Sequence, residues 1–167
     1  MSSVALLVGV LFSAAAPDGV RPCSARAEGP GPVTISARRD IRIGPVAFFG
    51  LRHPERQRVL GTRGRDPGYK IPISVRAGRP VLLRSRSSDL TFNYATRNVD
   101  QVEDGQSLVL VKPCPPGTRR FTDGRPVGRW TTFSGGFIVR TPGCYPIEVA
   151  RRGGPFVRRH VALGRRC

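Results

Sequence analysis

The chain has 167 residues, 39% of them hydrophobic, with 28 basic against 11 acidic side chains and a formal net charge of +17. That length fits one ordinary domain with a single core, and the apolar stretches below exclude a wholly disordered chain. Of the basic residues 26 are Arg, and Lys70 and Lys112 are the only lysines. With abundant Gly, Ala, Pro and Val, this bias marks a GC-rich coding sequence, so genome composition explains part of the charge.

Val4 to Ala16 is apolar or small throughout, apart from Ser13. Such a run is shorter than the ~20 residues needed to cross a bilayer and has the length of a signal-peptide core. Ala25-Arg26-Ala27 offers an A-x-A cleavage site before Glu28, and Ser13-Ala14-Ala15 offers a second. No Lys or Arg precedes the run, so the natural start is expected upstream, with Met1 internal. The expected division is a signal peptide over 1–27, a flexible lead-in over 28–32 and one domain over 33–167. Residues 17–32 are rich in Pro, Gly, Ala and Arg and have no period.

Beyond the lead-in, period-2 alternation dominates. Val33-Thr34-Ile35 and Ile41-Arg42-Ile43 are short strand candidates. Residues 50–69 and 113–132 are long, basic and turn-rich, and read as loops. The best helix candidate, Arg52 to Leu60, contains Pro54. Ile71, Ile73 and Val75 alternate with polar neighbours. Ala77-Gly78-Arg79-Pro80 turns the chain into Val81-Leu82-Leu83, which predicts a hairpin over 70–84. Pro72 favours an edge strand there. Leu90, Phe92 and Tyr94 form another alternating set. Ser107 to Val111 is apolar after its first residue and reads as a central strand buried on both faces. Phe137-Ile138-Val139 and Tyr145 to Val149 follow. Arg152-Gly153-Gly154 then turns into a last strand, Phe156 to Leu163. Apolar residues nowhere recur at helical spacing for three turns. The expectation is an all-β chain, an immunoglobulin-like or Greek-key β-sandwich of seven to nine short strands after the signal segment.

Residues 107–167 loosely resemble immunoglobulin-like domains of exported proteins from GC-rich, actinobacterial-type bacteria. The resemblance is carried by Gly135-Gly136-Phe137, by Pro142-Gly143-Cys144-Tyr145 with Ile147 and Val149, and by Leu163-Gly164 with Cys167. It implies a sandwich fold and an exported setting, and it carries no function. The chain departs from the pattern at Trp130, which lies in a turn-rich segment rather than mid-strand.

Chemistry-bearing constellations are sparse. Cys144 and His160 raise the question of a copper site, which asks for two His, a Cys and an axial Met. The remaining His53 precedes Pro54 in a loop, and the one Met is Met1. His160 shares parity with Arg158 on the polar face of the last strand. No G-x-S-x-G occurs. Asp100, Glu103 and Asp104 form the one carboxylate cluster and lack the ligand alternation of a calcium loop. Gly61-Thr62-Arg63-Gly64 and Gly124 to Gly128 lack the G-K-[ST] of a phosphate loop, and Gly135-Gly136 precedes a strand. No enzyme activity, cofactor or metal is expected.

Four cysteines, Cys23, Cys114, Cys144 and Cys167, allow three pairings and show no C-x-x-C spacing. Cleavage after Ala27 would remove Cys23 and leave an odd thiol. Cys114 ends one strand, Cys144 opens another, and Cys167 follows the last. If the first two strands are antiparallel, these three cysteines gather at one end, with Cys114–Cys144 the favoured bridge and Cys114–Cys167 next.

Removing residues 1–27 takes away Arg21, Arg26 and Asp18, which leaves 26 basic and 10 acidic residues, a net +16. The clusters are spread along the chain: Arg38-Arg39, residues 52–65, Arg119-Arg120, Arg151-Arg152, Arg158-Arg159 and Arg165-Arg166. The loop with Arg52, Arg56, Arg58, Arg63 and Arg65 is the expected polyanion contact. Tyr69, Phe121 and Trp130 are the few loop aromatics available for base stacking. The function expected is therefore an exported, non-catalytic binding or structural module at the cell envelope. Its partners would be anionic envelope polymers or lipid head groups, with no specific nucleic acid. The alternatives are a basic nucleic-acid- or polyanion-binding protein and a secreted enzyme.

Overall fold

A computed structural model describes residues 16–29, 33–60, 68–94 and 105–167. The chain is all-β and sandwich-like: the described residues form thirteen short strands and two 3-10 turns, Cys23–Ala25 and Pro54–Arg56. Among the described residues no helix is long and apolar enough to cross a membrane.

The strands form three sheets. The largest contains β1 (Gly19–Arg21), β9 (Leu108–Val111), β7 (Val81–Ser85), β12 (Gly143–Arg151) and β13 (Val157–Leu163), in that order. The second runs β10 (Trp130–Phe133), β6 (Ile73–Arg76), β3 (Val46–Phe48) and β2 (Ile41–Ile43). The third runs β4 (Arg58–Leu60), β5 (Gly68–Lys70), β11 (Gly136–Val139) and β8 (Leu90–Phe92). All pairings are antiparallel except β1 on β9, which is parallel.

Alternation explains the larger sheet. Val81, Leu83, Ile147, Val149, Val161 and Leu163 face the core. On the opposite face Glu148 stands between Arg84 and Arg158 on the flanking strands. At the centre of the core Phe137 packs against Phe48, Phe92 and Tyr94, with ring centroids 5.6 to 6.1 Å apart. The buried Tyr94 hydroxyl donates to the Ile71 carbonyl at 2.7 Å, so its polar end is satisfied. At the far end of β13 the Gln57 amide donates to the Ala162 carbonyl at 2.8 Å and accepts from the Gly164 N–H at 2.9 Å. Gly164 has φ 66°, and a Cβ there would fall 2.0 Å from the Tyr69 hydroxyl, so only glycine fits.

Several expected elements stand where alternation put them. Leu90–Phe92, the doubly buried Leu108–Val111, the Phe137 strand and the β12–β13 hairpin are all present. Others differ. Among the described residues the strands number thirteen rather than seven to nine, because pieces of three residues are too short to mark a period, and Val46–Phe48 is buried throughout. Residues 33–35 form no strand. Residues 70–84 form no hairpin: β6 pairs with β3 and β10, while β7 pairs with β9 and β12, so the turn at 77–80 carries the chain from one sheet to another. Pro72 precedes β6 rather than interrupting it, and β6 is an inner strand. The helix candidate at 52–60 is a 3-10 turn followed by β4. Trp130 opens β10.

The cysteine pairing is also corrected. The bridges are Cys23–Cys114 and Cys144–Cys167, with Cα atoms 4.8 and 5.1 Å apart, and Cys114–Cys144 does not form. β9 and β12 are both antiparallel to β7, so they run parallel to each other. Cys114, past the end of β9, and Cys144, the second residue of β12, therefore lie at opposite ends of the sheet. β13 returns antiparallel to β12 and brings Cys167 back to Cys144. β1 runs parallel to β9, with Arg21 opposite Val111, and delivers Cys23 to Cys114.

Candidate polyanion-binding cleft

A cleft of about 960 Å³ lies between the outer side of β10, residues 26–29 and the loop over 120–129. A smaller hollow of about 230 Å³ continues it past Phe49 and Lys70, which line both, toward the 3-10 turn at 54–56 and β4. Among the described residues eight basic side chains line the combined surface. Arg39, Arg56 and Arg58 line the small arm, Lys70 the junction, and Arg26, Arg120, Arg125 and Arg129 the main cleft. Among the described residues two carboxylates line it, Glu28 and Asp123.

Both carboxylates are already engaged. Glu28 pairs with the Arg26 guanidinium at 2.7 Å. It also accepts the backbone N–H groups of Phe121 and Thr122. Burial pushes its pKa up, but the Phe121 N–H, the Arg26 guanidinium and the Thr122 groups outweigh that and hold it at about 2. Asp123 lies 3.5 Å from Arg120 and accepts the Arg125 N–H. Among the described residues no carboxylate pairs with Arg39, Arg56, Arg58, Lys70, Arg125 or Arg129. The cleft therefore carries a positive surplus walled by low-dielectric protein, an arrangement that concentrates field on an anionic chain.

The walls are held by local chemistry. Arg26 donates to the Arg119 carbonyl at 2.8 Å and lies 3.6 Å above the Phe121 ring, pinning the 120–129 loop. That loop is cross-tied by the Arg120 N–H to Arg125 and the Val127 N–H to Thr118. Trp130, half-buried at the cleft floor, has the Arg42 guanidinium 5.5 Å from its ring.

Of the expected contact residues, Arg56 and Arg58 line the cleft. Arg52 turns away and donates to the Asp40 carbonyl at 3.1 Å. Arg63 and Arg65 lie outside the described residues, as do Asp100, Glu103 and Asp104. The cleft adds Arg26, Arg39, Lys70, Arg120, Arg125 and Arg129, which come from separate segments of the chain. Arg84, Arg86 and Arg158 are taken up elsewhere by the buried Glu148, at 2.6, 3.3 and 2.7 Å. His160 is exposed beside Pro146, and Cys144 is tied in its disulfide, so the two do not form a metal site. The thiols of Cys114 and Cys167 are likewise committed.

No family model matches the chain, and neither a curated protein nor a solved structure is similar to it.

Proposed function

We propose that this protein is an exported, non-catalytic β-sandwich module that binds an anionic polymer of the cell envelope in its basic cleft. The observation that carries the reading is the charge of that cleft: among the described residues, eight guanidinium and ammonium groups against two carboxylates, both already engaged. Two disulfides fit an oxidising, extracytoplasmic compartment. The apolar run at Val4 to Ala16 fits an export signal, and the resemblance of residues 107–167 to immunoglobulin-like domains of exported proteins agrees with that setting. The larger cleft and the smaller hollow meet at Phe49 and Lys70, and a basic surface continuous across both suits a polymer better than a small molecule.

Trp130 is the one tryptophan in the chain, so its emission reports on the cleft directly. Titration with poly(glycerol phosphate) at about 0.15 M salt, where screening length is about 8 Å, is expected to change that emission and saturate. Replacing Arg56, Arg58, Arg125 and Arg129 by Ser should weaken binding at least about tenfold, a loss of about 1.4 kcal/mol. A control that loses the same charge at Arg79, Arg152, Arg159 and Arg165, all exposed and none of them lining the cleft, should keep most of the affinity. Equal losses in the two variants would refute the cleft as the site.

A further inference from the structure

Residues 18–29 are built into the domain. The Asp18 N–H donates to the Leu108 carbonyl at 2.8 Å. The Asp18 carboxylate accepts the Ser107 N–H, the Ser107 hydroxyl and the Leu108 N–H at 3.0, 2.6 and 3.0 Å. β1 then covers the edge of β9 over three residues, Arg21 accepts the Lys112 N–H, and Cys23 bridges to Cys114. Ala27 donates its N–H to the Thr132 carbonyl of β10 at 2.8 Å. A cut after Ala27 before folding would remove every one of these ties. It would leave Cys114, 1% exposed, without its partner, and it would bare the edge of β9.

We infer that the leader is removed at the Ala15–Ala16 bond, and that the strap from Asp18 to Glu28 belongs to the mature protein. The inference rests on the export reading. Ser13 and Ala15 supply the small residues an A-x-A-like site requires, directly after the apolar run. The next bond, Ala16–Pro17, is a tertiary amide whose ring fixes the backbone, which leaves Ala15–Ala16 as the scissile bond. Hydrolysis by the signal peptidase of the exporting cell consumes one water, which gives its hydroxyl to the Ala15 carbonyl carbon and a proton to the Ala16 amine. Ala16 and Pro17 are both exposed ahead of the first hydrogen bond at Asp18, so the mature end lies free of the fold. The strap also supplies one wall of the basic cleft, through Arg26 and Glu28, so its retention preserves the binding surface.

The test is N-terminal sequencing and intact mass of the protein recovered from the medium and envelope of its native host, with a non-reducing peptide map. The expected mature chain begins at Ala16 and yields a Cys23–Cys114 linked peptide. A chain beginning at Glu28 overturns the inference while leaving export standing. A chain retaining Met1 or residues upstream of it, found in the cytosol, overturns both. As a second measurement, chains beginning at Ala16 and at Glu28 are exported behind the same unrelated leader. The shorter one should be cleaved at least about tenfold faster by added protease, since an opened edge raises the population of the unfolded form. Equal protease resistance would overturn the structural role of the strap.

Discussion

Glu28 accepts the backbone N–H of Phe121 with both carboxylate oxygens, at 3.0 and 2.8 Å, and so ties the N-terminal strap to the loop that walls the cleft. The tie depends on charge. The folded pKa of about 2 lies below the ordinary value of 4.5. Stability from this group is therefore complete above pH 4.5 and is lost as pH falls through about 2. Asp18 shifts the same way, mainly through the Ser107 hydroxyl. At Glu148 burial raises the pKa, but the Arg158 and Arg84 guanidiniums bring it below its ordinary value. All three carboxylates thus contribute stability that is lost on the acid side. The melting temperature should fall steeply below pH 4.5, and Glu28→Gln should flatten that fall. An identical pH profile for the variant and the parent would contradict this.

The two bridges close loops of different length, 91 and 23 residues. Chain entropy makes the longer loop the greater stabiliser, at ~4–5 kcal/mol against ~3 kcal/mol. Replacing Cys23 and Cys114 together by Ser should shift the urea midpoint further than replacing Cys144 and Cys167 together. The reverse order would indicate that the strap remains docked without its bridge.

What was legible followed from period. Leu90 and Phe92, or the alternating residues of the last hairpin, show a wet face and a dry one, and they appear as strands with that polarity. Val46-Ala47-Phe48 is dry on both sides and only three residues long, so alternation has nothing to mark. The turn at 77–80 reads equally well as a hairpin or as a crossing between sheets; only the partners of β6 and β7 decide. That Cys114 and Cys144 lie apart depends on the relative direction of β9 and β12, which is set through β7 between them. For the same reason Arg56 and Arg58 could be singled out by their local cluster, while Arg39, Lys70, Arg125 and Arg129 reach the cleft from separate segments.

Tyr94 and Phe137 touch in the core, with ring centroids 6.1 Å apart in an edge-on arrangement, and fail in different ways when cut back. Phe137→Ala removes a fully buried ring and should cost ~3–5 kcal/mol. Tyr94→Phe keeps the ring but strands the Ile71 carbonyl, at a cost of ~1–3 kcal/mol. Urea unfolding with unchanged slope should rank the two in that order. A Tyr94→Phe variant as stable as the parent would mean that water reaches the Ile71 carbonyl.

Arg-rich composition alone predicts attraction to any polyanion, so the cleft must be separated from the general surface by its counterion count. With a short DNA duplex as a generic polyanion, log affinity falls linearly with log salt, by about 0.9 for each phosphate neutralised. If the chain lies in the cleft, Arg56, Arg58, Arg125 and Arg129 each neutralise a phosphate. Their joint replacement by Ser should then reduce the slope by about 3 to 4. The control lacking Arg79, Arg152, Arg159 and Arg165 carries the same net charge but should leave the slope nearly intact. Trp130 emission should respond to the duplex in the parent and the control, since the polymer would run along β10 beside it. Were both variants to lose slope equally, with Trp130 silent, the charge would act as a diffuse coat set by codon usage. In that case the cleft beside β10 would be a feature of packing rather than of binding.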